Sequence, residues 1–108
     1  MVERMQHVVL FKFPQDLTED DERYMFEHVG SWPEKIGGFT RLRLGADVSG
    51  RSRGHQYLLF AEFEDEDRYR EYFPHPVHQE FSDWVHARDC EVLALDYPLS
   101  ERHRMIGS

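Results

Sequence analysis

The chain reads as one α+β domain, a four-stranded antiparallel sheet with helices on one face. Three observations predict it. Four stretches, near residues 6–13, 39–46, 55–63 and 90–97, carry the alternating or continuous apolar pattern of strands. Between the first and second, and between the third and fourth, apolar residues instead recur at helical spacing. The order is therefore strand, helix, strand, strand, helix pair, strand, in 108 residues that hold a single core.

The first strand, QHVVLFKF, sets His7, Val9, Phe11 and Phe13 on one face and Val8, Leu10 and Lys12 on the other. Both faces are mainly apolar, which predicts cover on two sides. Pro14 ends it. Thr18 is a natural N-cap, and Glu19, Asp20 and Asp21 suit the positive end of a helix. Met25, Phe26, Val29 and Trp32 form a stripe that predicts a helix over 19–31 with one buried face, broken by Pro33 and Gly37-Gly38. The second strand, 39–46, turns Leu42 and Leu44 one way and Arg41 and Arg43 the other, and a polar loop follows over 47–54. The third, 55–63, is again apolar on both faces, with Tyr57, Leu59, Ala61 and Phe63 against Leu58 and Phe60.

An acidic run at 64–67 opens a short helix reaching Tyr72. Pro76 suits the first position of the next helix, 76–88, whose buried side holds Val77, Phe81, Trp84 and Val85. A last strand occupies 90–97. The domain is read as 1–98, with 99–108 a polar tail. This arrangement is ferredoxin-like. Its helices cover one sheet face only, so Val8, Leu10, Leu58 and Phe60 lie open, and the expected cover is the same face of a second copy.

The net charge of −8 argues against a nucleic-acid partner, which needs a basic face. The short apolar run at the N-terminus is interrupted by Lys12 and predicts neither a signal peptide nor a membrane span. With Cys90 the one cysteine, the expected setting is cytoplasmic.

The stretch EYFPHPVHQEF, 71–81, concentrates the candidate chemistry. His78 falls in the first turn of its helix, where the positive helix end disfavours protonation and leaves a neutral imidazole able to accept a proton. Its alternative is a structural histidine hydrogen-bonded at the helix–sheet seam. Tyr72 is either a hydroxyl donor to a developing oxyanion or a core side chain with a satisfied tip. His7, on an apolar strand face, is either a core histidine or part of a cavity. His75, held extended before Pro76, need not converge with His78, and no thiolate or carboxylate stands at ligand spacing nearby, so no metal is expected from the H-x-x-H spacing. Cys90 reads as packing, and His28, His55, His86 and His103 as surface or loop positions.

HVVLFKF at the start, Gly38-Phe39 before the second strand, Gly45 closing it, FEDED after the third and Y-x-x-H-P-x-H at 72–78 belong together. In these residues, over roughly 6–97, the chain resembles the stress-responsive A/B-barrel (Dabb) family. Relatives often carry Ile-Pro-Gly where this chain has Ile36-Gly37-Gly38. The resemblance implies a dimeric α+β barrel. One branch of the family cyclises a linear polyketide thioester by aldol condensation without metal or cofactor. On that pattern the resemblance implies His78 as general base, Tyr72 as its partner at the substrate oxygen and His7 lining the pocket. Tyr57 stands where that branch carries a further histidine.

The expected site is an apolar pocket between sheet and helices, lined by His7, Val9, Phe11, Met25, Tyr57, Leu59, Tyr72, His78 and Trp84. It would take an aromatic or polyketide-like apolar acid and support cofactor-free proton abstraction, cyclisation or lyase chemistry. Two other classes fit the same chain: a non-catalytic stress-associated dimer that binds ligand or partner, and a cofactor-free monooxygenase.

Overall fold

The computed structural model describes residues 3–100. Its elements are β1 (Arg4–Lys12), α1 (Glu19–Gly30), α2 (Trp32–Lys35), β2 (Phe39–Ala46), β3 (Tyr57–Phe63), α3 (Glu66–Tyr72), α4 (Pro76–His86) and β4 (Glu91–Leu99). The strands form one antiparallel sheet in the order β2-β3-β1-β4, which is the expected ferredoxin-like arrangement. β4 runs on through Pro98 and Leu99, paired with Met5 and Arg4. His103 and the rest of the tail beyond residue 100 lie outside the described residues.

Alternation along the central strand sorts the two faces. His7, Val9, Phe11 and Phe13 are buried towards the helices, opposite Ala61, Leu59 and Tyr57 on β3. The expected α1 stripe is corrected at two positions. Met25 and Val29, four residues apart, face the sheet, while Phe26, about 100° further round the helix, is 38 % exposed. Trp32 is core, but it belongs to α2 rather than to α1. Pro33 both ends α1 and sits in the first turn of α2, where no amide hydrogen is needed. Gly37 and Gly38, at φ +76° and +85°, turn the chain from α2 into β2, and a Cβ on Gly38 would come within 2.9 Å of the Arg68 Cβ.

The face away from the helices carries Val8, Leu10, Leu58, Phe60, Leu93 and Leu95. Leu58 is 40 %, Leu93 58 % and Leu95 63 % exposed. Glu62 sits on the same face, buried, where the Gln6 amide donates to it at 2.9 Å and the Thr40 hydroxyl at 2.5 Å. Burial opposes its charge, but those hydrogen bonds and the Arg4 and Arg41 guanidinium groups prevail and hold it below the usual carboxylate range. Among the described residues no helix is long and apolar enough to cross a membrane.

Candidate functional site

The stretch joining α3 to α4 builds the site. Asp65 caps α3 by accepting from the Arg68 amide at 2.8 Å, and the helix ends on Tyr72. His75 takes an extended conformation at the N-cap of α4, its Nδ1 accepting from the Val77 amide at 3.1 Å. Pro76 follows in the first turn. These devices place His78 in the first turn of α4, beside the last residue of α3.

Tyr72 lies among three elements. Its ring centroid is 4.2 Å from that of His78 on α4, 5.5 Å from that of His7 on β1 and 5.6 Å from that of Trp32 on α2. Together with Val9, Phe11, Leu59, Phe73, Phe81, Ser82, Val85, His86, Val92 and Ala94, the rings of His7, Tyr72 and His78 line a cavity of about 190 Å³. Its walls are mostly carbon, and it opens between α4 and β4.

Hydrogen bonds settle which imidazole nitrogens are free. His78 Nδ1 lies 3.1 Å from the Phe73 carbonyl oxygen, which can only accept, so Nδ1 carries the hydrogen and Nε2 keeps its lone pair. His7 Nδ1 lies 2.5 Å from Asp96 Oδ1, and the carboxylate imposes the same tautomer. Asp96 also accepts from the Tyr69 hydroxyl at 2.6 Å, so two donors fix its orientation. Burial, joined by the charge of Asp96, pushes Tyr69 up to about 12.

Burial lowers the pKa of His78 below 6.5. The Phe73 carbonyl opposes the shift, and the facing His7, His28 and His75 reinforce it. The Tyr72 hydroxyl is raised far above the ordinary tyrosine value, by burial first and by the charge of Asp96 second, so it holds its proton. It makes no hydrogen bond among the described residues. Tyr72 is 1 % exposed, and its side chain is part of the cavity lining. The arrangement presents the lone-pair nitrogen of His78 and the Asp96-held ring of His7 on either side of a donor hydroxyl, in an apolar recess.

Six of the nine expected lining residues meet here: His7, Val9, Phe11, Leu59, Tyr72 and His78. Met25 is wholly buried beneath α1 and reaches no open space in this cavity. Trp84 turns to the other side of α4, where it packs on Tyr24 and Phe13 under the Arg88 guanidinium, 4.0 Å from the ring centroid. Tyr57 pairs with Phe11, four strand residues from Ala61 opposite His7, or about 13 Å along the sheet. Its hydroxyl donates to Glu22 Oε2 at 2.5 Å, at the edge of a separate groove of about 640 Å³ between the β1–α1 and β2–β3 connections. That groove is larger, lined about equally by polar and apolar atoms, and none of His7, Tyr72 and His78 reaches it.

His28, read as a surface position, is buried as a side chain to 10 % exposure: its Nδ1 accepts from Trp32 Nε1 at 3.0 Å. Asp96, Tyr69, Ser82 and His86 were not among the expected site residues. Asp96 had a signal, as an acid in phase with Val92 and Ala94 on the inward side of β4. Among the described residues no three histidine, cysteine or acidic groups converge to hold a metal.

The two lowered histidines make stability pH-dependent. Burial shifts both His28 and His78 below 6.5, so the unfolded chain binds more protons than the folded one as pH falls through that value. The stability they contribute is complete above 6.5 and is lost on acidification. Urea midpoints are expected to fall between about pH 7.5 and about pH 5.5, and to fall less in His78→Gln. A flat profile contradicts the burial of these rings.

Comparison with known proteins gives a consistent picture. The family described as "Stress responsive A/B Barrel Domain" matches residues 5–99. The olivetolic acid cyclase of Cannabis sativa is 23 % identical over 95 residues, covering 86 % of this chain and 94 % of that one. The hydroxynitrile lyase from Passiflora edulis superposes with a TM-score of 0.80 at 17 % identity, covering 94 % and 97 % of the two chains. A dimeric ferredoxin-like protein of unknown function from Thermobifida fusca YX gives a TM-score of 0.78 at 20 % identity, covering 92 % and 93 %.

Proposed function

The chain belongs to the stress responsive A/B barrel family, and from that premise we propose that it is a homodimer performing cofactor-free acid–base chemistry on a small apolar carbonyl compound. The observation that carries this reading is the Tyr72 hydroxyl, proton-bearing and without a hydrogen bond to another described residue, beside the free Nε2 of His78 and the Asp96-held ring of His7.

His78 Nε2 takes a proton from the carbon next to the carbonyl. The electron pair moves to the carbonyl oxygen, and Tyr72 donates a hydrogen bond to the enolate as its charge develops. His78, now carrying that proton, returns it to the carbon or exchanges it with solvent, while Asp96 holds the neighbouring His7 ring in place. The resulting carbanion equivalent attacks a second carbonyl, or forms when such a bond breaks. A cyclase and a lyase among the similar proteins support this reading. The cavity's volume of about 190 Å³ is below the ~300–1,000 Å³ of drug-sized sites, which favours a single-ring substrate over a long chain.

The test is hydrogen exchange at the α-carbon of an aryl methyl ketone in D₂O, followed by proton NMR. Exchange above the buffer rate supports the reading. Binding without exchange reduces the protein to a ligand-binding dimer, and oxygen uptake with phenols points instead to an oxygenase.

The dimer rests on the open sheet face. Six large apolar side chains there form a patch that monomers avoid, and burial against a second copy removes it from water. The dimeric relative supports this. Light scattering is expected to give about twice the 13.0 kDa chain mass, and a monomer at micromolar concentration contradicts it.

A further inference from the structure

α4 carries a row of polar side chains along the cavity that the proton chemistry does not use in full. His78, Ser82 and His86 stand four residues apart on one face, and all three line the cavity. Four-residue steps rise about 6 Å each, so Ser82 and His86 extend the row about 6 and 12 Å from His78 towards the mouth. The opposing wall at that end is Val92 and Ala94 of β4, which offer no polar side-chain atom.

The hydrogen bonds fix what this outer pair presents. His86 Nδ1 lies 2.8 Å from the Ser82 carbonyl oxygen and 3.3 Å from Ser82 Oγ. A carbonyl only accepts, so Nδ1 carries the hydrogen and shares it with both oxygens. Two consequences follow. His86 Nε2 keeps a lone pair, and Ser82 keeps its own hydroxyl hydrogen, since Oγ acts as acceptor towards the ring. Neither atom has another partner among the described residues. The mouth thus offers one acceptor and one donor side by side, with no lysine or arginine in the lining.

We propose that Ser82 and His86 form a hydroxyl-recognition subsite at the cavity mouth, selecting an aromatic carbonyl compound whose ring bears a hydroxyl group opposite the reacting carbonyl. This rests on the reading of the cavity as a ligand site. A hydroxyl accepts from Ser82 Oγ and donates to His86 Nε2 at once, whereas a hydrogen, a methyl or a carboxylate fails to satisfy the pair. A lone carboxylate meets no cation here and faces the imidazole lone pair. The ring lies between Phe81 and Val85 on one side and the sheet on the other, with its carbonyl at Tyr72 and its hydroxyl at the mouth.

The experiment compares 4-hydroxyacetophenone with acetophenone, titrated into the full chain by NMR. The hydroxylated ketone is expected to bind about tenfold more tightly, the ratio that one or two neutral hydrogen bonds supply. In Ser82→Ala and in His86→Leu the ratio falls towards one, and in His86→Gln, which keeps an acceptor oxygen, part of it survives. Equal affinities in the wild-type protein overturn the proposal without need of any variant. So does an unchanged preference in both Ser82→Ala and His86→Leu, or failure of both ketones to bind. Loss of α-proton exchange with the preference intact refutes the chemistry at Tyr72 and His78 and leaves the subsite standing.

Discussion

Replacing His78 by alanine is expected to slow α-proton exchange on an aryl ketone about 10²- to 10⁴-fold, the contribution of a positioned general base. The effect is on the chemical step because His78 supplies a lone pair that the neutral imidazole keeps at neutral pH. Burial lowers its pKa, and its Nδ1 hydrogen is committed to the Phe73 carbonyl. Tyr72→Phe separates the two roles. It removes only an oxygen that has no protein partner, so stability changes little while exchange falls with the loss of the enolate's donor. Exchange in His78→Ala at the wild-type rate removes that residue from the mechanism.

Trp32→Ala is expected to cost about 3–5 kcal/mol in urea unfolding, a large share of the stability of a domain this size. Trp32 is wholly buried, and its ring lies 5.2 Å from Phe81, 5.6 Å from Tyr72 and 6.0 Å from His78, measured between centroids. Its indole nitrogen donates to His28 Nδ1, so the substitution leaves a cavity and also an unpaired acceptor in a half-buried ring. Trp32→Phe keeps most of the volume and loses less. Equal losses for Ala and Phe would show that the hydrogen bond, rather than the packing, carries the effect.

The fold was legible because its signals are local. Alternation in β1 and β3, Thr18 before α1 and Pro76 before α4 each act within a few residues. The α1 stripe misled at Phe26 because hydrophobicity marks a candidate face wider than the one that packs. The apolar stripe runs on to Trp32, just past the expected helix end at residue 31, because a break at Pro33 does not reveal that a second short helix starts there. At the site, Tyr72 and His78 stand six residues apart across a proline step, close enough in sequence to be paired by reading. Asp96 was not, since 89 residues separate it from His7 and only the β1–β4 register brings them face to face. Tyr57 shares the inward strand face with Leu59, and Trp84 shares the buried side of α4 with Phe81, which makes both pocket candidates. The strand length between Tyr57 and Ala61, and the turn of α4 between His78 and Trp84, carry them elsewhere.

The central claim is that His78 is an uncharged imidazole at neutral pH with its hydrogen on Nδ1 and its lone pair on Nε2. Long-range proton–nitrogen NMR of the histidine rings, recorded from about pH 4 to about pH 8, reads both properties without any substrate. His78 is expected to titrate below 6.5 and to show a protonated Nδ1 with a bare Nε2 above that point. A hydrogen on Nε2, or titration at or above 6.5, contradicts it.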